Sequence, residues 1–261
     1  MKCRCCENHI ADKIFSVKIF KKEVAYFECD ECKYVQTEEP TWLEEAYTNS
    51  INDSDTGIML RNLSNVPLVM ATMTLMHNRN SAIVDYAGGH GFLVRLLRDI
   101  GVNALWDDPY SKNLVAKGFE YKKNANAIMV TAFESFEHFI RPCEEMVKLI
   151  NIAPNILITT SIIPNPTPNP KDWWYYGLDH GQHIGFFRLK TLQYIANKFN
   201  LHLISDGHDR HFFSKKKYSY HSWRILMILA NKIPKLFSIG MKFNSWEVHL
   251  YILKCSPNFD L

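Results

Sequence analysis

From Ala82 to Leu97 the chain reads Ala-Ile-Val-Asp-Tyr-Ala-Gly-Gly-His-Gly-Phe-Leu-Val-Arg-Leu-Leu. A β-prone run ends in an acid, passes through a glycine-rich turn and opens into a helical pattern. Gly88, Gly89 and Gly91 fall within four positions, which suits a backbone that must adopt positive φ or lie close against a ligand. A helix beginning just beyond such a turn points its first N–H groups at whatever sits there. The spacing is Asp85-x-Ala87-x-Gly89-x-Gly91, distinct from the Gly-x-Gly-x-x-Gly of pyrophosphate-binding folds.

The flanking pattern alternates strand and helix. Strands are expected at Ala82–Tyr86, Ala104–Asp107, Ala127–Ala132, Asn155–Ser161, Leu201–Ser205 and, late in the chain, Trp246–Lys254, with helices at Phe92–Ile100, Cys143–Ile150 and Leu189–Phe199. This alternation predicts an α/β fold with a doubly wound, Rossmann-like sheet. Between Trp42 and Asn80, Leu60, Leu63, Leu68, Met73 and Met76 recur at helical spacing. With 261 residues, 47% of them hydrophobic and 22% charged, there is material for one sizeable core and a smaller appendage. The expected division is a metal-binding ribbon at 1–40, a helical cap at 41–80 and the main domain at 81–261. No apolar run approaches the roughly 18 residues of a membrane span. The N-terminus lacks a basic segment leading into an apolar stretch, so a cytoplasmic, reducing setting is expected.

Five of the seven cysteines lie in the first 32 residues. Cys3-x-x-Cys6 and Cys29-x-x-Cys32 form two knuckles, each able to place two thiolates at adjacent corners of a tetrahedron, which predicts a structural Zn²⁺ site with all four positions filled by protein. Cys5 competes for the first knuckle, although pairing it with a neighbour does not suit a two-residue turn. Free buried thiols are the alternative. The β-prone residues between the knuckles, Lys13 to Phe27, predict a small hairpin.

The Asp85–Gly91 segment resembles motif I of class I S-adenosylmethionine-dependent methyltransferases, with Ala87 in place of the usual first glycine. The resemblance implies that Asp85, Ala87, Gly88, Gly89 and Gly91 support the cofactor. It also implies that an acid after the second strand binds the ribose hydroxyls: Asp107-Asp108-Pro109-Tyr110 lies about 20 residues on, with Asp108 preferred and Pro109 beside it. The segment Ala127 to His138, including Phe133, Glu137 and His138, is similar to the fourth strand and following Glu-His segment of that class, which borders cofactor and substrate. Asn126 stands where many relatives carry an acid. With the cysteine module, Trp42-x-x-x-Ala46-Tyr47, Asp55-Thr56-Gly57, Arg61-Asn62 and Tyr176 to Phe187, the likeness runs from Cys3 to about Leu203. It is to methyltransferases with an N-terminal zinc module found in bacterial glycan and nucleotide-sugar pathways. Related sugar C-methyltransferases carry a long C-terminal domain, which is not expected of a sequence of this length.

Methyl transfer to a hydroxyl calls for alignment and a general base. His183 and His180 sit beside Trp173, Trp174, Tyr175 and Tyr176, a base and an aromatic wall of the sort a sugar-sized ligand needs. Glu137 and His138 are the second candidates, and structural histidines are the alternative for each. Arg210, Lys215, Lys216, Lys217, Arg224, Lys232, Lys235 and Lys242 occur between 210 and 246 without one acid, interleaved with Phe212, Phe213, Tyr218, Tyr220, Trp223, Phe237 and Phe243. Such a segment suits an anionic glycan, a nucleotide diphosphate or an anionic membrane surface; a nucleic-acid surface is the less favoured reading, and a solvated face is the alternative. The sequence therefore predicts methyl transfer to a saccharide, nucleotide-sugar or glycan hydroxyl. The alternatives are a sugar C-methyltransferase or other small-metabolite enzyme, an RNA-binding or RNA-modifying protein, and a noncatalytic scaffold.

Overall fold

The structure, a computed structural model, describes residues 1–10, 12–48, 55–123, 125–241 and 245–255. In chain order the strands are β1 (Lys13–Ile19), β2 (Lys22–Glu28), β3 (Val35–Thr37), β4 (Ala82–Tyr86), β5 (Ala104–Asp107), β6 (Ala127–Phe133), β7 (Asn155–Thr159), β8 (Gly185–Phe186), β9 (His202–Ser205) and β10 (Arg210–Ser214). The helices are α1 (Leu43–Ala46), α2 (Ile58–Leu75), α3 (Phe92–Asp99), α4 (Pro142–Ile152), α5 (Leu189–Lys198), α6 (Tyr220–Lys232), α7 (Pro234–Phe237) and α8 (Ser245–Cys255). Strands take the order β5-β4-β6-β7-β10-β9 in one mixed sheet and β1-β2-β3-β8 in an antiparallel one. This is an α/β fold with a mixed central sheet. Among the described residues no helix is long and apolar enough to cross a membrane.

The chain forms two compact units that alternate along the sequence. One contains Ser54–Ala132, Ile152–Asn155 and Tyr218–Leu261. In it β4 runs parallel to β5 on one side, Asp85 opposite Trp106, and to β6 on the other, Asp85 opposite Thr131. Ile83 and Val84 are fully buried, as expected of a parallel strand with neighbours on both edges, and each contributes about 1.5–3 kcal/mol of burial. Helix α3 buries Leu93, Val94 and Leu97. Helix α2 packs on α3 and α6, and the buried Trp223 indole of α6 donates to Thr72 Oγ1 at 2.9 Å.

Two expectations change here. Leu60 and Leu63, at the start of α2, are exposed, whereas Leu68, Met73 and Met76 are buried, so only the second half of the periodic pattern forms core. The late strand at Trp246–Lys254 is instead helix α8. Its short apolar run fits either period, and helix-favouring Glu247, Leu250, Leu253 and Lys254 meet no Gly or Pro. Tyr251 of this helix lies against the Phe119 ring, centroids 5.6 Å apart.

The other unit contains Met1–Asp53, Phe133–Asn151 and Ile156–Lys217. The expected hairpin is present as β1 and β2, paired from Phe15 opposite Tyr26 to Ile19 opposite Lys22. Its sheet is completed by β8, a two-residue strand on β3 with Val35 opposite Phe186. The core beneath joins Ile19, Val24, Tyr26, Val35 and Trp42 to Tyr175, Tyr176, Ile184 and Phe186. The cysteine-bearing ribbon thus shares its core with residues about 150 positions downstream. Trp42 Nε1 donates to Gly181 O at 2.8 Å and the Gln182 amide to Ala46 O at 2.8 Å, pinning that distant loop. The segment read as basic and aromatic also divides: Phe212 and Phe213 of β10, Trp223 and Phe237 are buried, while Lys215, Lys216, Lys217, Arg224, Lys232 and Lys235 are exposed. These buried aromatics form no stacking surface. Lys242 and Phe243 lie outside the described residues.

Candidate functional site

The glycine turn is built at the end of β4. Asp85 is buried, and Thr131 Oγ1 donates to its Oδ1 at 2.7 Å. A Cβ on Gly88 would stand 2.7 Å from Asp85 Oδ2 and 3.0 Å from Asp85 O, so position 88 has no room for a side chain. Gly89 has open space around it but φ of +55°, and Gly91, capping α3, has φ of +90°. These glycines are required by backbone conformation rather than by crowding alone. Ala87 adopts φ of +53°, a strained value for a residue with a Cβ. Burial pushes the Asp85 carboxyl up to about 7, against the Thr131 hydrogen bond and reinforced by the charge of Asp108.

Asp108 braces this turn. Its Oδ2 accepts Gly89 N at 2.8 Å, and its Oδ1 accepts Tyr110 N at 2.7 Å and Ser111 N at 2.9 Å. Trp106 Nε1 closes the same junction by donating to Gly89 O at 2.8 Å. Much of the carboxylate's accepting capacity therefore goes to backbone. Asp107, adjacent to the preferred Asp108 in the sequence, is the last residue of β5; it is half-buried, and burial and the neighbouring Asp108 push its carboxyl up. Its strand-end position is the signal that sets it beside Asp108 as a ribose candidate. Pro109 and Tyr110 are exposed.

In the other unit the structure brings together all four candidate proton-transfer residues. Phe133 ends β6, and after Glu134 and Ser135 a 3₁₀ turn, Phe136–His138, presents Glu137 and His138. Glu137 is fully buried; its Oε1 accepts the Tyr175 hydroxyl at 2.7 Å, and its Oε2 is buried without a hydrogen-bond partner among the described residues. Burial, with the charge of Glu134, pushes this carboxyl up to about 8. His138 Nδ1 lies 3.1 Å from Gln182 O and 2.9 Å from Tyr47 Oη, and burial pushes the imidazole down to about 4. His183 Nδ1 lies 2.6 Å from Tyr175 O.

The His183 ring sits edge-on to both other imidazoles, its centroid 4.8 Å from that of His138 and 4.9 Å from that of His180. His180 Nδ1 accepts Gln182 N at 3.1 Å. A Cβ on Gly177 would come within 2.4 Å of the His180 ring, so this glycine admits the imidazole. The expected aromatic wall splits: Tyr175 and Tyr176 are core residues, and Trp174 is exposed. Arg61, in the first unit, pairs with Asp55 at 2.6 Å.

The four knuckle cysteines converge, their Sγ atoms all within 4.8 Å of one another. Cys3 and Cys32 are 3.6 Å apart, Cys6 and Cys29 3.5 Å, against the ~3.8 Å edge of a tetrahedron with Zn–S bonds of ~2.3 Å. The knuckles share one construction. Glu7 N donates to Cys3 O at 2.9 Å and Lys33 N to Cys29 O at 2.8 Å, with Glu7 and Lys33 both at positive φ. Cys5 faces elsewhere: its Sγ is 4.0 Å from Cys143 Sγ, and Cys143 Sγ donates to Cys5 O at 3.1 Å. The donor set fits a soft divalent ion.

No curated protein matches the chain. Among solved structures it is similar to OxaC in complex with SAH and oxaline, at 17% identity over 58% of this chain and 47% of that one, TM-score 0.43; the match thus spans about half of the length of OxaC. It is also similar to an O-methyltransferase family protein from Burkholderia thailandensis, at 14% identity over 67% and 68%, TM-score 0.45. A third is magnesium protoporphyrin IX methyltransferase from Synechocystis PCC 6803 with bound SAH, at 12% identity over 66% and 90%, TM-score 0.44. The family model of a methyltransferase domain matches residues 59–206, more than half of the sequence, and the chain accordingly belongs to the methyltransferase domain family.

Proposed function

We propose that this protein is an S-adenosylmethionine-dependent methyltransferase that methylates an oxygen of a small, sugar-containing acceptor. The observation that carries the cofactor assignment is the Gly88 turn: it lies flat against Asp85 with no space for a Cβ, and the turn's Gly89 N is braced by Asp108. Within a methyltransferase domain, such a turn lets a cofactor approach the backbone closely at the start of α3. Asp85, Ala87, Gly88, Gly89 and Gly91 would form its floor. Asp107 or the remaining accepting capacity of Asp108 would take the ribose hydroxyls, next to Pro109. Bound S-adenosylmethionine would supply an electrophilic methyl group on a sulfonium.

An acceptor hydroxyl must lose its proton as its oxygen takes the methyl group. The groups suited to handle that proton are His183 and His180, with Glu137 and His138 in contact around them. Burial of His138 lowers its basicity, which favours His183 as base, its ring oriented by the Tyr175 carbonyl. Cys3, Cys6, Cys29 and Cys32 would hold a structural Zn²⁺, which ties the two knuckles together and leaves no position open for chemistry. For an anionic acceptor, exposed Lys215, Lys216 and Lys217 supply positive charge.

Calorimetry on zinc-replete protein tests the cofactor reading. Wild type should bind S-adenosylhomocysteine at the micromolar scale, about −8 kcal/mol, and ignore a dinucleotide. Gly88→Ala should weaken S-adenosylhomocysteine binding at least ~10-fold, about 1.4 kcal/mol. Folded wild type that binds neither ligand would refute it. Nucleotide-sugars and free glycans, offered with labelled cofactor, then test the acceptor class.

A further inference from the structure

The Glu137–His138–His183 cluster has the composition of a metal site as well as that of an acid–base group. One carboxylate oxygen of Glu137 and one ring nitrogen of each histidine all lie within 4.8 Å of one another. Each imidazole has its Nδ1 on a main-chain carbonyl, Gln182 O for His138 and Tyr175 O for His183. A carbonyl only accepts, so these contacts suit an Nδ1 proton on each ring and a lone pair on Nε2, with Tyr47 Oη, 2.9 Å from His138 Nδ1, as a second contact of that nitrogen. Metal-ligating histidines are oriented in this way by their outer-shell partners. Independently, Glu137 is fully buried: Oε1 takes the Tyr175 hydroxyl, and among the described residues Oε2 has no hydrogen-bond partner within 3.5 Å. A buried, half-satisfied carboxyl calls for a further partner, and a cation beside two imidazoles supplies one.

We propose that Glu137, His138 and His183 form a second metal site, separate from the cysteine quartet, which binds one divalent transition ion through a carboxylate oxygen and two imidazole nitrogens. Two nitrogens and one oxygen favour zinc, manganese, cobalt or iron over magnesium or calcium, and three protein ligands leave a position open for substrate or water. Binding of the ion stands apart from the methyl-transfer reading; its use rests on that reading. With the His183 lone pair taken by the ion, His183 would act as a ligand in place of a base, and an acceptor hydroxyl on the open position would be acidified and release its proton to water. The oxygen's electron pair would then form the O–CH₃ bond as the C–S bond breaks, leaving S-adenosylhomocysteine.

The probe is Co²⁺ added to full-length protein already carrying zinc on its cysteines, followed by visible absorption and by metal analysis after desalting. The expected result is one cobalt per chain beyond the zinc, with ligand-field bands and no thiolate charge-transfer band. His183→Ala and Glu137→Gln should each weaken cobalt binding by ~10-fold or more, with circular dichroism confirming that the variants are folded. Wild type retaining no cobalt, or cobalt bound equally by wild type and both folded variants, would overturn the proposal. S-adenosylhomocysteine titrated into the same samples separates the two ideas. Cofactor binding without cobalt binding sinks only the metal site; cobalt binding without cofactor binding supports the site and removes the methyl-transfer reading.

Discussion

Replacing Asp85 by Asn should stabilise the cofactor-free protein, increasingly so as pH rises. Asp85 is buried, and its carboxyl is pushed from an ordinary 3.8 up to about 7 chiefly by burial. Between those values the unfolded chain has released this proton while the folded chain keeps it, so the unfolded state binds fewer protons and stability falls as pH rises. The contribution is fully present below about pH 3.8 and is lost as the pH climbs through about 7. The whole effect is about 4 kcal/mol, from 1.36 kcal/mol per pKa unit. An amide at position 85 keeps an acceptor for the Thr131 hydroxyl, bonded at 2.7 Å, and never ionises. Urea unfolding of both proteins, followed by far-ultraviolet circular dichroism, is the assay. The advantage of Asp85→Asn over wild type should widen by about 2 kcal/mol between about pH 5.5 and about pH 8.5. A gap that stays constant across that range would show that Asp85 does not carry its proton into the neutral range, and the electrostatic account of the turn would fail.

Thr72→Val should leave the buried Trp223 indole N–H without its acceptor and cost about 1–3 kcal/mol, read as a lower denaturation midpoint; an unchanged midpoint would mean that this bond adds nothing to the α2–α6 packing. On the proposed zinc site, Cys29→Ser should lower the metal content to well under one zinc per chain by metal analysis, against the one expected for wild type. Zinc-free wild type that is fully folded would argue that the knuckles need no ion.

Local sequence carried the β4 turn because every relevant term is local there. A strand-forming run, an acid and three glycines within four positions leave the chain few conformations, and the structure places Gly89 and Gly91 at positive φ. The cysteine spacing was equally readable, since each two-residue knuckle is closed by its own backbone bonds. Elsewhere the sequence was ambiguous. Apolar residues between 246 and 254 satisfy a strand period or a helix period, and α8 forms. Leu60 and Leu63 match the periodicity of Leu68 and Met73, yet periodicity says nothing about whether another element covers a given turn of helix. Asp107 and Asp108 are adjacent acids at one strand end; only the fold shows that Asp108 spends its oxygens on three backbone N–H groups.

By itself the sequence determined the element types around the glycine turn, the methyltransferase likeness and the metal-type cysteine pairs, because these depend on backbone freedom and ligand spacing within a few residues. Tertiary structure decided what depends on long-range contact. It completed the ribbon's sheet with Gly185 and Phe186, turned Cys5 toward Cys143, and gathered Glu137, His138 and His183 to within ligand distance. A side chain's charge state and partner are set by what surrounds it in space, and residues 46 positions apart become neighbours only once the loops between them are packed.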